Sequence, residues 1–422
     1  MNQAASRIVK TYVALTLLST FASSFIWGIN TLFLLNAGLT VTEAFTANAF
    51  FTAGQVIFEI PTGVVADTTG RRRSFLLGAA TLFVSTLVYY WLWRIHGPFW
   101  AWALVSIFLG LGFTFFSGAT EAWLVDGLKA AGYKDQLDSV FAKGSIANGV
   151  AMLTGTLAGG FVAQATNLGV PYLMRVAALG LTFLLAFLFM HDDGFKPKAK
   201  TSVLKDMKSV FADSVTFGFK KAPVRWMMLS GVFTGGVGIY AFYAMQPHLL
   251  NLYGESTSYA VAGISATVVA GAQIIGGFLV PYAGRVFAKR TSFFIFGTAL
   301  GVVALALIGL LGNFYLVVAI FSLWSVFWAA NIPIRQSYIN QLLPSQQRAT
   351  ILSCDNMLAS AGGVVAQPIL GKTADVYGYP TSYIGSAIFQ FLALPFVVLA
   401  RRENADSDKI GKRPISSTPP SS

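Results

Sequence analysis

Long apolar segments separated by short polar connections run along almost the entire chain. Most of these segments reach or exceed the roughly 20 residues that a helix needs to cross a bilayer. Helices are predicted near residues 12–36, 42–66, 74–94, 99–128, 140–166, 170–190, 224–252, 256–288, 291–311, 314–343, 346–376 and 380–400. The pattern therefore predicts an all-α membrane protein with twelve transmembrane helices.

One long polar connection, residues 191–223, divides these helices into two sets of six. Its run KPKAKTSVLKDMKSVFADS mixes lysines, acids and apolar residues, which predicts a helix on the cytoplasmic surface. We expect an N-terminal bundle at residues 1–190 and a C-terminal bundle at residues 224–400. Residues 401–422 are polar and end in Ser-Thr-Pro-Pro-Ser-Ser, which predicts a disordered cytoplasmic tail.

A charged motif between the second and third segments recurs in the second half of the chain. Its residues are Gly63, Asp67, Gly70 and Arg71, and 214 positions later the chain has Gly277, Pro281, Gly284 and Arg285. At the same offset, Glu121 and Asp126 align with Arg335 and Asn340, and the run 155–160 aligns with 367–371 at an offset of 212. The two halves are therefore related, as in the duplicated bundles of secondary transporters, which bind substrate near the midplane.

The composition agrees with a protein embedded in a membrane. Hydrophobic residues make up 55% of the chain and charged residues 11%, against about 25% charged residues in soluble domains. The net charge is +12, and with both termini in the cytoplasm Lys and Arg fall at cytoplasmic segments, except Arg94, Arg175, Arg335 and Lys372. That asymmetry is the positive-inside rule, so the basic excess indicates orientation and contact with anionic lipids, and argues against nucleic-acid binding.

Other function classes find little support in the sequence. The segment 12–36 is longer than the roughly 7–15 apolar residues of a signal peptide, so we expect no cleaved signal. Cys354 is the one cysteine, which excludes an intrachain disulfide, and neither a metal nor another cofactor is expected. The sequence has no phosphate loop, nucleophile elbow or metal-spaced His/Cys set, which argues against an enzyme and against an ATP-driven pump.

The loop motif GxxxDxxGRR at residues 63–72, its degenerate copy and the long central loop resemble the major facilitator superfamily over roughly residues 10–400. The runs Glu59-Ile-Pro61-Thr-Gly63 and Arg348-Ala-Thr-Ile-Leu-Ser353 look like those of its efflux permeases. The run Gly155-Thr-Leu-Ala-Gly159-Gly160 resembles the helix 5 motif of drug–proton antiporters, except that Thr156 stands where that motif has proline. The resemblance implies two six-helix bundles, alternating access and a place in the cell inner membrane with both termini cytoplasmic.

The resemblance implies that the loop motif is a gate on the cytoplasmic side. In the superfamily architecture, Asp67 at the end of helix 2 would face the start of helix 11 near Arg348, where the helix dipole favours an anion. Arg71 would then pair with Asp126 on helix 4 and hold the cytoplasmic side shut in the outward-facing state. An ordinary loop whose arginines only orient the protein is the alternative interpretation.

Three charges, Glu59, Glu121 and Arg335, lie seven or eight residues inside the predicted helix ends, or roughly 10–12 Å below the surface. Ionisable groups at that depth are costly and normally face a partner or a watery cavity. Because helices 1, 4, 7 and 10 line the cavity in this architecture, we expect Glu121 to face Arg335 and to carry the proton. A static Glu121–Arg335 pair is the alternative. Glu59 is either a structural or gating acid or a second coupling residue, and Asp355 is either a gate partner of Lys143 or a solvated helix-end charge.

Aromatic and amide side chains on the cavity-lining helices are the candidate substrate contacts. They suit an amphipathic organic molecule, because rings supply contact area and amides fix orientation, although helix packing alone also uses aromatics. Arg175 is expected toward the outer half, so no pair of cavity arginines is predicted, which disfavours a multiply charged substrate. The candidates are Trp27, Asn30, Phe116, Trp123, Tyr240, Tyr243, Gln246, Trp328, Asn331 and Gln336.

These features predict a secondary active transporter that exports hydrophobic or amphipathic small molecules by proton-coupled alternating access. A proton-coupled importer of a nutrient or siderophore is the nearest alternative, in which Asn30, Asn331 and Gln336 would form a dedicated polar site. A transporter-like receptor or scaffold is a third interpretation. One bundle pair forms a path without a partner, so a monomer is expected.

Overall fold

The computed structural model describes residues 2–116, 118–134, 137–195, 197, 212, 214–343 and 348–410. Nearly all of this part of the chain is helical. The N-terminal half contains α1 (Gln3–Trp27), α2 (Asn30–Asn36), α3 (Val41–Thr69), α4 (Arg71–Ile95), α5 (Phe99–Phe116), α6 (Ala119–Ala130), α7 (Asp138–Ala165) and α8 (Val170–Phe189). The C-terminal half contains α9 (Ala222–Tyr253), α10 (Tyr259–Leu279), α11 (Ala283–Val286), α12 (Arg290–Leu310), α13 (Phe314–Leu342), α14 (Arg348–Phe391) and α15 (Leu394–Arg402).

The helices make twelve crossings, as the apolar pattern predicts. Eleven helical runs of the described residues are long and apolar enough to span a membrane, and the last of them, Thr350–Arg402, has 53 residues. Gly378 divides that run, because its φ of 83° and ψ of 162° are non-helical and favour glycine. The predicted all-α, twelve-helix fold is therefore confirmed. The first crossing starts earlier than predicted, since α1 begins at Gln3 after the N-cap Asn2.

The ends of the helices form two faces, because successive crossings alternate in direction. We call the face where α1 begins and α15 ends the terminal face, and the opposite one the far face. The turn between α3 and α4 at Gly70, which belongs to the loop motif, lies on the terminal face. Its counterpart between α10 and α12 lies on the same face and contains Arg285.

Two predicted features fall partly outside the described residues. The expected surface helix of the 191–223 connection lies mainly in 198–211, outside that part of the chain, and Ser214–Phe219 form a short π-helix. Residues 411–422 of the expected disordered tail are also outside it. The start of that tail differs from the expectation, because it contacts the bundle: Ile410 N donates to Ala288 O at 3.0 Å, and Trp226 Nε1 donates to Glu403 Oε1 at 3.1 Å.

An aspartate that follows the last helix of each half caps the third crossing of that half. In the N-terminal half, Arg72 N donates to Asp192 Oδ1 at 2.9 Å. In the C-terminal half, the backbone N and the Oγ1 of Thr291 donate to the two carboxylate oxygens of Asp408, both at 2.8 Å. Each backbone donor is the second residue of its helix, where unpaired N–H groups and the helix dipole favour an anion. The duplication therefore extends to these tertiary contacts.

Replacing Asp408 with alanine should lower the thermal stability of the purified protein. Thr291 is fully buried, so its backbone N–H and hydroxyl would each lose an acceptor, at a cost of about 1–3 kcal/mol per group. Asp406→Ala is the matched control, because Asp406 lies in the same turn but is exposed. The midpoint of thermal unfolding in detergent should fall for Asp408→Ala and stay unchanged for Asp406→Ala. Equal midpoints in the two variants would contradict the capping role.

Candidate functional site

A cavity of about 530 Å³ lies between the two halves, near the middle of the surrounding helices. We call it the central cavity. Its size falls within the roughly 300–1,000 Å³ of small-molecule sites. Aromatic rings dominate its wall, namely Trp27, Phe51, Tyr89, Phe113, Tyr172, Phe242, Tyr243, Trp324 and Trp328. Its polar lining residues are Asn30, Asn48, Thr52, Gln55, Thr86, Thr156, Arg175 and Gln273.

Some of the predicted substrate contacts line the central cavity and others do not. Trp27, Asn30, Tyr243 and Trp328 line it. Gln246 is buried and instead joins the two halves, since its Nε2 donates to Trp27 O at 2.6 Å. Trp27 on α1, Tyr243 on α9 and Trp328 on α13 thus place aromatic rings in the wall of this cavity.

The structure corrects the prediction for Phe116, Trp123 and Tyr240, which pack among helices. Phe116 stacks on Phe75 with ring centroids 4.5 Å apart. Trp123 is buried and its Nε1 donates to His191 O at 2.6 Å. Tyr240 is fully buried and its hydroxyl donates to the Oγ of Ser382 at 2.6 Å. The position of a residue along a helix gives its depth, whereas the direction of its side chain depends on packing.

A second cavity of about 340 Å³ lies within the C-terminal half. We call it the lateral cavity. Asn331 and Gln336, the other predicted substrate contacts, line it together with Arg335 and Asp355. The lateral and central cavities share three lining residues, so a thin wall separates them: Ile239, Trp324 and Trp328.

A buried ion pair forms part of the wall of the lateral cavity. The Nε and Nη2 of Arg335 donate to the two carboxylate oxygens of Asp355 at 2.8 and 2.6 Å, a bidentate geometry. The Nη1 of Arg335 donates to Ser230 Oγ at 3.2 Å, and its Nη2 also donates to Met227 O. Asp355 is 4% exposed. The side chain of Arg335 is 17% exposed and borders the lateral cavity, so the pair joins α9, α13 and α14 with its carboxylate buried.

This pair corrects the predicted contact between Glu121 and Arg335. Glu121 is exposed in the first turn of α6 and lines neither cavity. Asp355, expected as a partner of Lys143 or as a solvated charge, is buried because it faces α13. Glu59 is half-buried on α3 and also lines neither cavity.

The described contacts of Arg71 and Gly70 in the loop motif lie within the N-terminal half. Arg71 Nη1 and Asp67 Oδ1 are 2.6 Å apart, so the structure corrects the predicted Arg71–Asp126 pair. Gly70 has a φ of 113°, and an added Cβ would overlap the carboxylate of Asp192. Glycine is needed there for conformation and for space. Asp192, which the sequence interpretation did not identify, is the carboxylate that contacts the motif.

Polar contacts join the two halves on the far side. Gln246 Oε1 accepts from Thr31 N at 2.9 Å, and the Oγ1 of Thr42 donates to Asp375 Oδ2 at 2.6 Å. Between described residues, the side-chain hydrogen bonds that join the halves all lie level with the central cavity or nearer the far face. On the terminal side, an added Cβ at Gly63 would meet no described atom within 4 Å.

The glycine-rich run on α7 lets the halves approach closely. An added Cβ at Gly160 would lie 2.7 Å from the Cα of Gly263 on α10, and the reverse holds at the same distance. Only glycines allow this approach. Thr156, which replaces the proline of the antiporter motif, leaves α7 unbroken and lines the central cavity. Its Oγ1 has no hydrogen-bond partner among the described residues.

Arg175 is the functional candidate that sequence reasoning did not place in the cavity. It is the sixth residue of α8, in the half of that helix nearer the far face, and it lines the central cavity and is 2% exposed. Its Nε donates to Thr86 Oγ1 at 3.1 Å, and its guanidinium carbon lies 5.7 Å from the ring centroid of Phe113. An ionisable residue inside an apolar helix is a functional candidate by default, and this signal was available in the sequence.

Comparisons with known proteins agree with this architecture. Residues 12–366 and 281–419 match a family model described as Major Facilitator Superfamily. No curated protein sequence is significantly similar to the chain. The solved structure of the nucleoside transporter NupG aligns with a TM-score of 0.76 at 12% identity, over 94% of this chain and 99% of that one. A bacterial homologue of the human lysosomal transporter Spinster, inward-facing and unoccupied, aligns with a TM-score of 0.73 at 15% identity, over 97% and 99% of the chains.

A D-xylose–proton symporter is also similar, with a TM-score of 0.70 at 15% identity over 94% of this chain and 97% of that one. At these identities the structural likeness shows the fold alone. The comparisons do not separate the drug–proton antiporter branch from the others. The family match spans nearly the whole sequence, and the chain belongs to the major facilitator superfamily as a secondary transporter of that type.

Proposed function

We propose that this transporter uses a proton gradient to export hydrophobic or amphipathic small molecules by alternating access. It works as a monomer in the cell inner membrane, with both termini and the terminal face in the cytoplasm. The observation that carries the proposal is the buried Arg335–Asp355 pair, which lies one wall away from the central cavity. The aromatic lining of that cavity supports an apolar or amphipathic substrate.

Protonation of Asp355 is the proposed coupling step. It would neutralise the carboxylate and weaken both of its bonds to Arg335. Breaking a fully buried ion pair costs about 3–5 kcal/mol, and the partial exposure of Arg335 lowers that cost. A cost of about 1.4 kcal/mol already shifts a two-state equilibrium about 10-fold. Proton binding at this pair can therefore change the relative populations of two conformations.

Helix α14 connects this pair to the contacts on the far side. It carries Asp355 near its start, and Gln367 and Asp375 farther along. Gln367 Nε2 donates to Thr52 Oγ1 at 3.2 Å, and Asp375 accepts from Thr42, so α14 joins the halves at both positions. Asp355 and Asp375 are 20 residues apart, which is roughly 30 Å along a helix. A shift of α14 at the ion pair would therefore act on the closure of the far face.

The direction of transport is proposed from the glycine-rich run on α7, which is similar to that of antiporters. The residues that would form the polar site of an importer do not lie together, since Asn30 lines the central cavity and Asn331 and Gln336 line the lateral one.

Uptake is the second candidate function because Tyr172 donates to Asn30 at 2.9 Å and Asn30 donates to Asn48 at 3.1 Å. A preorganised polar cluster of this kind suits a single specific ligand.

The positive-inside pattern supports a cytoplasmic terminal face. The hydrogen bonds between Gln246 and Thr31 and between Thr42 and Asp375 support a resting state that is closed on the far side. On the terminal side, no described atom lies within 4 Å of a Cβ added at Gly63, which supports access from that side. We therefore propose an inward-facing resting state.

Replacing Asp355 with asparagine should abolish the dependence of transport on the proton gradient. Gradient-driven flux of a dye found in a screen of amphipathic dyes and antibiotics should fall at least about 10-fold in proteoliposomes. Exchange of the same dye without a gradient should continue, because the central cavity is unchanged. Asp355→Asn leaves Arg335 without its charged partner and could impair folding. The double variant Asp355→Asn/Arg335→Gln has a neutral pair and serves as the folding control. It should show the same loss of gradient-driven flux.

Glu121→Gln is the matched control for this experiment, because Glu121 is exposed and lines neither cavity. It should keep gradient-driven flux within a factor of about two. Unchanged gradient dependence in both Asp355 variants would refute the coupling role of Asp355. Loss of gradient dependence in Glu121→Gln would instead restore Glu121 as the proton carrier.

A cross-link between residues 42 and 375 should stop transport by holding the far side closed. Thr42→Cys and Asp375→Cys would be combined with Cys354→Ser and treated with a short bifunctional thiol reagent that carries a cleavable disulfide. Flux should be lost on cross-linking and recovered on reduction, whereas each single-cysteine variant should keep its flux after the same treatment. Continued flux in fully cross-linked protein would contradict alternating access at this contact.

A further inference from the structure

The central cavity contains a buried cation with an incomplete set of partners. Arg175 is 2% exposed and its Nε donates to Thr86, while its guanidinium lies over the ring of Phe113. No acceptor among the described residues bonds either Nη of Arg175. Two donor groups of this guanidinium are therefore available to something that enters the cavity.

The surroundings of Arg175 supply no negative charge. None of the described residues that line the central cavity is Asp or Glu. The described ion pairs of the protein lie elsewhere, at Arg71–Asp67 and Arg335–Asp355. A cation held in an apolar layer without a counter-charge is expensive, so such residues normally face a partner or a pathway. The central cavity is thus a positively charged chamber with aromatic walls.

A chain of hydrogen bonds in the same cavity also ends in a donor. The hydroxyl of Tyr172 donates to Asn30 Oδ1, and Asn30 Nδ2 donates to Asn48 Oδ1. Asn48 Nδ2 is therefore the last donor in this series of hydrogen bonds, and this buried NH₂ group has no acceptor among the described residues. Asn48 is itself 7% exposed. Asn48 Nδ2 and the Nη groups of Arg175 are therefore donors in the wall of one cavity that lack acceptors among the described residues.

We infer that the central cavity binds an organic monoanion, with a carboxylate on Arg175 and an apolar body against the aromatic wall. This inference rests on the proposed transport function and names the substrate class of the same site. A carboxylate matches the forked geometry of a guanidinium, and charge-assisted bonds of this kind are about twice as strong as neutral ones. Trp27, Trp324 and Trp328 supply the apolar surface for the rest of the molecule. A single guanidinium suits one negative charge.

The test compares acids with their uncharged amides on the intact protein in nanodiscs, by isothermal titration calorimetry without a proton gradient. The probes are 2-naphthoate with 2-naphthamide and octanoate with octanamide. In the unmodified protein, at least one acid should bind 10- to 100-fold more tightly than its amide, which is the range for one charge-assisted contact. Arg175→Gln should remove that preference by weakening acid binding while amide binding changes less than about twofold. Arg175→Lys should keep part of the preference, because it keeps the charge but loses the fork.

Arg94→Gln is the matched control, since Arg94 is an exposed arginine at the end of α4 and does not line the cavity. It should bind all four probes as the unmodified protein does. Equal binding of acid and amide in both pairs, or binding of neither, overturns the inference, and that comparison needs no variant that might fold poorly. Gradient-driven flux that persists in Arg175→Gln for a neutral dye would leave the transport proposal intact. Acid-selective binding without gradient-driven flux would overturn the transport proposal and support this one.

Discussion

The ion pair between Arg335 and Asp355 is the contact on which the C-terminal half depends, because it joins three helices through a carboxylate that is buried among them. Hydrocarbon supplies no hydrogen-bond partner, so every buried polar group needs one within the protein or in a cavity. The two halves meet this requirement differently. Arg335 has an internal carboxylate, whereas the described residues around Arg175 provide only a hydroxyl and a ring. Arg175, the buried cation of the N-terminal half, therefore has a charged partner only when a molecule that enters the cavity supplies one.

The helices were predictable because the bilayer sets their length, and the 214-residue repeat was visible because the loop motif is charged. Counting residues at a fixed rise gave the expected depth of Glu121 and Arg335, but it could not give the direction of either side chain. A side chain turns by about 100° per residue, so a small change in how two helices pack decides between a cavity and a neighbouring helix. Tyr240 illustrates this, because its neighbours Ile239 and Tyr243 line the central cavity whereas its own hydroxyl donates to Ser382 within the same half.

The caps at Asp192 and Asp408 show what sequence reasoning missed for another reason. Each aspartate lies in a polar stretch after the last helix of its half, where solvated charges are common, and each acts on a helix more than 100 residues away. Their offset of 216 is close to that of the repeat, so the pairing was present in the sequence as a pattern. It had no local sequence signature, because each aspartate is far in sequence from the helix that it caps and only folding brings the two together. The Asp408 cap and the hydrogen bond from Ile410 N to Ala288 O hold the described residues of the C-terminal tail against the bundle.

Helix α13 forms part of the wall between the two cavities and so connects the proposed proton site with the proposed substrate site. Trp324, Trp328 and Arg335 follow one another on α13 at spacings of four and seven residues, which places them on one face of the helix. The two indoles stack with centroids 6.2 Å apart and line both cavities. In the proposed transport cycle, a change at the Arg335–Asp355 pair that moves the adjoining part of α13 also moves these rings, which form part of the wall of the central cavity. The proposed coupling therefore needs no direct contact between proton and substrate, because one face of α13 borders both cavities.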